Sequence, residues 1–228
     1  MRSRPYNTRS KGAGRERGAC GIMRGMSETI KNLGIIGGTF DPIHYGHIGC
    51  AEAAAKAFDL DEVWFMPANH PNFKQDRDVN DIHHRLKMCE LALRAYGNEK
   101  FKVSDLEAHR DGVTFTSETL EILKKDYPDT NIFFITGTDA VFALPSWHNS
   151  EEILQLATII AVTRKGYHEP NAEQEKFLEK YADRIKIVEA DVIDISSSEI
   201  RQRLWNRQDV SDYVPSSIFN YMHNNELY

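Results

Sequence analysis

Eleven consecutive residues, Gly37-Gly38-Thr39-Phe40-Asp41-Pro42-Ile43-His44-Tyr45-Gly46-His47, follow directly on the apolar run Leu33–Ile36. A glycine pair after a strand lets the backbone turn sharply and brings bare N–H groups close to a ligand. Pro42 stiffens the turn, and a helix beginning near His44–Tyr45 aims its positive dipole end at the same place. His44 and His47 are three residues apart and share one face of that first turn. Gly46 removes a side chain where a bulky group must approach. Two imidazoles beside exposed N–H groups suit a phosphoryl group that gains charge as it reacts. The segment is neither G-x-G-x-x-G nor G-x-x-x-x-G-K-[S/T]. No third ligand stands at metal spacing, so no residue is assigned to a metal.

A second cluster lies near the C-terminus, Ile195-Ser196-Ser197-Ser198-Glu199-Ile200-Arg201. Three hydroxyls opening a helix, with Arg201 one turn in, suit terminal phosphates, though alone they also describe an ordinary N-cap beside a surface arginine. Trp147 stands in Leu-Pro-Ser-Trp-His-Asn, a polar setting where it would stack a flat heteroaromatic ring or else close over the core. Asp139, in Gly137-Thr138-Asp139, reads as a partner for ribose hydroxyls or as a helix cap. Thr116 reads as an acceptor site for a carboxylate at a helix start or as a plain N-cap. Lys74 and Arg164 read as phosphate-binding or as solvated charges. Met88 and Cys89 belong to a core helix and carry no chemistry.

The elements that must position these groups alternate along the chain. Short apolar runs at Leu33–Ile36, Val63–Met66, Phe101–Val103, Ile132–Ile135, Thr158–Val162 and Ile185–Val188 suit strands buried on both faces. Between them, helical spacing joins Ile48, Ala51, Ala55 and Phe58. It joins Leu86, Cys89, Leu93 and Tyr96 behind a cap at Asp81, and Thr119, Leu120 and Leu123 ahead of Pro128. Strands alternating with helices predict a doubly wound, parallel α/β sheet in a single domain. Ligands then sit beyond the carboxyl ends of the strands, where the strand order reverses. The chemically unusual segments all follow predicted strands.

Length and charge narrow the function. The chain has 228 residues, 41% of them apolar and 27% charged, which fits a soluble globular protein rather than a disordered one. No apolar run approaches a membrane span. Cys20, Cys50 and Cys89 form no C-x-x-C pair, so neither a disulfide framework nor a cysteine zinc site is expected, and a cytoplasmic setting fits. Residues 1–25 carry seven cationic side chains against Glu16, a charge of +6, so residues 26–228 hold −12 of a total of −6. The acidic domain, residues 26–228, is a poor general binder of nucleic acid. The basic residues 1–25 are expected to be disordered, either as an RNA-contacting arm or as an over-long reading frame whose start is Met26. No signal peptide is visible.

The frame Gly-Gly-Thr-Phe-Asp-Pro-x-His-x-Gly-His resembles the H-x-G-H nucleotidyltransferase superfamily. Ile195–Arg201 resembles that superfamily's second signature, with Ser198 for the usual threonine. From Leu33 onward the chain resembles bacterial nicotinate-nucleotide adenylyltransferases. Thr114–Leu120 is similar to their Ser-Tyr-Thr…Thr-Leu motif, and Gly137-Thr138-Asp139 to Gly-Ala-Asp. Trp147 and the Thr-Arg-Lys-Gly turn holding Arg164 also match. Asn72 and Phe73 stand where the family has Pro and His before Lys74, and His148 where tyrosine is common.

The resemblance implies a Rossmann-like nucleotidyltransferase fold and transfer of AMP from ATP to nicotinate mononucleotide, giving deamido-NAD and pyrophosphate. It implies His44, His47 and Arg201 as catalytic, with Gly37, Gly38, Thr39, Phe40, Gly46, Gly137, Asp139, Ile195, Ser196, Ser197 and Ser198 on ATP. Lys74, Thr116, Trp147, His148 and Arg164 would hold the mononucleotide, and Mg2+ would ride mainly on the ATP phosphates. Nicotinamide mononucleotide, phosphopantetheine or an alcohol phosphate as acceptor, and a non-catalytic nucleotide sensor, are the alternatives. Trp147, Thr116 and the Gly-Thr-Asp turn disfavour phosphopantetheine and cytidylyl transfer. Self-association into a homo-oligomer is left open.

Overall fold

A computed structural model describes residues 30–69, 79–110, 112–163 and 170–228. The expectation of disorder over residues 1–25 falls outside these. Six strands form one parallel sheet: β1 (Asn32–Gly38), β2 (Glu62–Pro67), β3 (Phe101–Val103), β4 (Asn131–Gly137), β5 (Thr158–Thr163) and β6 (Ile185–Glu189). The helices are α1 (Tyr45–Phe58), α2 (Ile82–Tyr96), α3 (Thr116–Asp126), α4 (Thr138–Ala143), α5 (Ser150–Leu156), α6 (Ala172–Lys180), α7 (Ser197–Trp205) and α8 (Ser216–Asn224).

The strand order is β3-β2-β1-β4-β5-β6. The chain therefore winds outward from β1 to β3, returns, and lays β4 on the other side of β1. That reversal opens a crevice between the carboxyl ends of β1 and β4, the place where doubly wound sheets bind ligands. Each predicted strand is present and extends by at most two residues at either end.

Because successive strand residues face opposite sides, each strand feeds two cores. On one face Ile36, Val63, Phe65, Ile135, Ile160 and Val162 pack against α1, α2, α7 and α8 through Ile48, Met88, Ile200 and Ile218. On the other, Leu33, Ile35, Trp64, Met66, Phe134 and Ile159 pack against α3, α4 and α5 through Leu120, Val141 and Ile153. Fully burying each such side chain contributes about 1.5–3 kcal/mol. Among the described residues, no helix is long and apolar enough to cross a membrane.

The Asp81 carboxylate accepts from the His83 N–H at 2.8 Å, capping α2 as expected, and Gly97 ends the helix in the left-handed conformation at φ 78°. Its buried face differs from the expected one. Arg85, Met88, Cys89, Ala92 and Leu93 are buried, whereas Leu86 is only partly so. The stripe is rotated by one residue because it is centred on an arginine.

Candidate active site

The loop after β1 is shaped by what lies under it. Phe40 takes a left-handed backbone conformation, φ 51°, unusual for a bulky residue. Its ring is buried against Phe65 and meets the His47 ring edge-on, with centroids 4.9 Å apart. A Cβ on Gly38 would come within 3.2 Å of that ring. The Asp41–Pro42 peptide bond is cis. Beneath the loop, the fully buried Arg85 guanidinium donates to the carbonyls of Thr39 (2.9 Å), Ala68 (2.7 Å), Asn69 (3.0 Å) and Asn80 (2.8 Å). One charged side chain thus ties the ends of two strand-to-helix loops together, satisfying carbonyls that would otherwise be buried without donors.

His44 is the N-cap of α1, and its backbone N–H donates to His47 Nδ1 at 3.3 Å. The two rings are stacked, with centroids 3.6 Å apart. Since His47 Nδ1 accepts, a neutral His47 carries its proton on Nε2. Burial pulls the His44 pKa down from 6.5 to about 4, so its ring is neutral at pH 7. Gly46 serves the protein's own groups: a Cβ there would lie 2.9 Å from the Ile193 carbonyl oxygen and 3.0 Å from His44 Nδ1. The sequence reading had assigned that space to an approaching ligand.

The second cluster is fastened to the first. Ser196 caps α7, accepting from the Glu199 N–H at 3.1 Å. The Ser197 hydroxyl donates to the Pro42 carbonyl at 2.9 Å. Arg201 donates through Nη1 to the Asp41 carbonyl at 2.7 Å and through Nη2 to Ser198 Oγ at 3.1 Å. The two motifs, far apart in sequence, thus form one wall. A cavity of about 330 Å³ opens beside it, lined by His44, Gly46, His47, Gly137, Asp139, Ile195, Ser196, Ser197 and Ser198. Cys50, Thr138, Val162, Val192 and Ile193, which sequence reasoning did not single out, also line it. Asp139 lies in the first turn of α4 and is not its cap, which is Gly137.

A second cavity, about 260 Å³, opens on the opposite face of the sheet at the same crevice. Thr116 and Trp147 line it, together with Ile35, Glu107, Thr119 and Phe134. Gly37, Gly38 and Thr39 line this cavity rather than the one holding the histidines. Thr116 is the first residue of α3, the cap being Phe115. Trp147 is not in an open polar loop. It ends a short 3-10 turn, Leu144–Ser146, is half-buried, and meets Phe134 edge-on with centroids 6.0 Å apart. His148 turns away, its ring 4.3 Å from that of Phe115, into a side recess of about 90 Å³. Lys74 and Arg164 lie outside the described residues.

Sequence reasoning also missed Glu107. It is buried, which raises its pKa, and it accepts from the Thr119 hydroxyl at 2.7 Å. Thr119 Oγ1 in turn accepts from Arg110 Nη1 at 3.0 Å, and Arg110 pairs with Glu118. This chain of bonds fixes the first turn of α3, and nothing in residue spacing announced it. Arg85 was detectable, because it falls on the i, i+3, i+4 and i+7 face with Met88, Cys89 and Ala92.

No group of three His, Cys, Asp or Glu residues among the described residues could hold a metal. Neither Cys50 nor Cys89 is in a disulfide, and burial pushes the Cys89 pKa up, away from reactivity.

A family model described as cytidylyltransferase-like matches residues 35–203. The chain is 39% identical over 201 residues to the probable nicotinate-nucleotide adenylyltransferase of Clostridium botulinum, covering 87% of this chain and 98% of that one. To a probable enzyme of the same name in Dehalococcoides mccartyi it is 39% identical over 197 residues, covering 86% and 96%. Among solved structures, Plasmodium falciparum nicotinic acid mononucleotide adenylyltransferase complexed with NaAD superposes with a TM-score of 0.71 at 25% identity, over 87% of this chain and 97% of that one.

Proposed function

The chain belongs to the cytidylyltransferase-like family, among its nicotinate-nucleotide adenylyltransferases, and from that premise we propose that it joins the adenylyl group of ATP to the phosphate of nicotinate mononucleotide. An oxygen of the mononucleotide phosphate attacks the α-phosphorus of ATP. The bond from that phosphorus to the bridging oxygen of the β-phosphate breaks, pyrophosphate leaves, and deamido-NAD is formed. The attacking phosphate is already ionised at neutral pH, so the protein supplies neither nucleophile nor general base. Its work is alignment and stabilisation of charge on the equatorial and departing oxygens.

The observation that carries this reading is the pair of cavities flanking the carboxyl end of β4, one beside the two histidines and the serine trio, the other beside Trp147 and the start of α3. ATP occupies the first. His44 and His47 donate to the α- and β-phosphates, and Ser197, Ser198 and Arg201 meet the departing pyrophosphate. The backbone N–H groups of Gly38–Phe40 approach the α-phosphate from the side of the second cavity, which Gly38 and Thr39 line. Asp139 takes ribose hydroxyls. The pyridine ring stacks on Trp147 in the second cavity, its carboxylate at Thr116 and the amino end of α3, where N–H groups and dipole favour an anion. Lys74 and Arg164 serve the mononucleotide phosphate. Mg2+ enters on the triphosphate, held by phosphate oxygens and water. The residues lining the cavity form no cage for it. A cytoplasmic site of action goes with these substrates.

The test is pyrophosphate release from ATP, with nicotinate mononucleotide, nicotinamide mononucleotide and phosphopantetheine as separate acceptors. Release with the first and much slower release with the others is expected. Release with none would reduce the protein to a nucleotide-binding module.

A further inference from the structure

We propose that Tyr228 is a positioning residue for the phosphate-facing loop, acting through the buried carboxylate of Asp41; the proposal deepens the functional reading above and rests on it for its kinetic readout. Asp41 is 2% exposed, yet among the described residues the donors to its side chain are a tyrosine and an asparagine, not a cation. Its Oδ1 accepts from the hydroxyl of Tyr228 and from Asn80 Nδ2, the latter at 3.0 Å. Its backbone carbonyl meanwhile accepts from Arg201 Nη1 at 2.7 Å. The same residue is thus gripped on its side chain by neutral donors and on its main chain by the arginine of the second motif.

That division of labour matters because a buried carboxylate draws cations strongly. Arg85 is already committed to four carbonyls beneath the loop. Arg201 is the cation within reach that has a second task, at the edge of the cavity with Ser198. With two neutral donors on Asp41 Oδ1, the guanidinium stays on the carbonyl and on Ser198, which lines the cavity. With one donor removed, the carboxylate draws Arg201 inward and away from Ser198. Burial, and next the adjacent Asp41 charge, hold the Tyr228 hydroxyl protonated, so it remains a donor at all working pH values. The segment carrying Tyr228 is itself anchored. Tyr221 Oη is 2.8 Å from His84 Nδ1 on α2, and the Tyr213 carbonyl accepts from the Tyr45 N–H at 2.9 Å, just where α1 begins.

Tyr228→Phe keeps the ring and removes the bond. Steady-state kinetics on the full chain should show kcat/KM for ATP falling about tenfold, the loss of one hydrogen bond to a charged group. The KM for nicotinate mononucleotide should stay within about twofold, because its cavity is on the other face. In an Asp41→Asn background the tenfold loss should disappear, since no carboxylate is left to attract Arg201. An unchanged kcat/KM for ATP in Tyr228→Phe overturns the proposal. So does an equal loss for both substrates with a lowered melting temperature, which marks a merely structural tyrosine, and so does a loss that persists undiminished with Asn at position 41. If Tyr228→Phe does not fold, Asn80→Ala removes the other donor to the same carboxylate and carries the same test. If the wild-type protein transfers no adenylyl group, the functional reading fails by itself. Calorimetric ATP affinity of wild type and Tyr228→Phe then decides the proposal, with weaker binding expected in the variant and equal binding overturning it.

Discussion

His44 and His47 are stacked ring on ring at 3.6 Å while the backbone N–H of the first donates to Nδ1 of the second. Two imidazolium cations would not lie so close, and the lowered His44 pKa keeps that ring neutral. The stack is therefore a donor device, with His47 presenting its Nε2–H, rather than a fixed pair of positive charges. Replacing His47 by Ala removes one donor aimed at developing charge and also the edge contact with Phe40. Turnover should fall by about 10²–10³-fold, the usual cost of one such donor. A folded His47→Ala variant with near-wild-type kcat would refute the assignment.

The buried neutral His44 makes stability depend on pH. Its pKa is about 4 in the folded chain against 6.5 unfolded, so between those values the unfolded chain binds more protons and acid favours unfolding. The stabilisation is present above pH 6.5 and is lost as pH falls towards 4, amounting to about 3 kcal/mol over the window. His44→Asn, which retains an N-capping side chain, should lose correspondingly less than wild type. Melting curves from pH 7.5 to 4.5 check this, and parallel losses in the two proteins would contradict it.

Gly46→Ala would force a methyl group to 2.9 Å from a backbone oxygen and 3.0 Å from the His44 ring. The ring is flanked by His47 and buried, so it has little room to yield. The change should cost about 1–3 kcal/mol of stability and lower kcat by displacing His44, both measurable on one purified variant. An unshifted melting temperature would mean that the α1 start relaxes freely.

Trp147→Ala should raise the KM for the pyridine mononucleotide with little effect on that for ATP. Because Trp147 also meets Phe134 edge-on, some stability is lost as well. Trp147→Phe should recover most of the stability and only part of the affinity. Equal kinetic loss for both substrates would assign Trp147 to packing alone.

Strand positions, the parallel sheet and the two site motifs were legible because each is local: β-branched runs, helical spacing, a glycine-proline-histidine frame. Helices α4, α5, α6 and α8 were not, being six to nine residues long with too few turns for a periodic signal. Trp147 looked like loop because its 3-10 turn has no sequence period of its own. The bonds of Asp41 to Tyr228 and of Glu107 to Thr119 are contacts whose partners no spacing rule connects, so only the fold reveals them. Gly46 reads from sequence as space for an approaching group, and the fold puts the Ile193 carbonyl and the His44 ring beside it.

The two cavities open on opposite faces of the sheet, on either side of the end of β4 at Thr136 and Gly137. On the proposed assignment neither reactant traverses the other's berth, whereas the joined dinucleotide spans both and leaves as one molecule, separately from pyrophosphate. A molecule tethering a pyridine-like ring to a nucleotide through a short linker would convert its second docking event into an intramolecular one, and gain avidity from the linker rather than from any new contact.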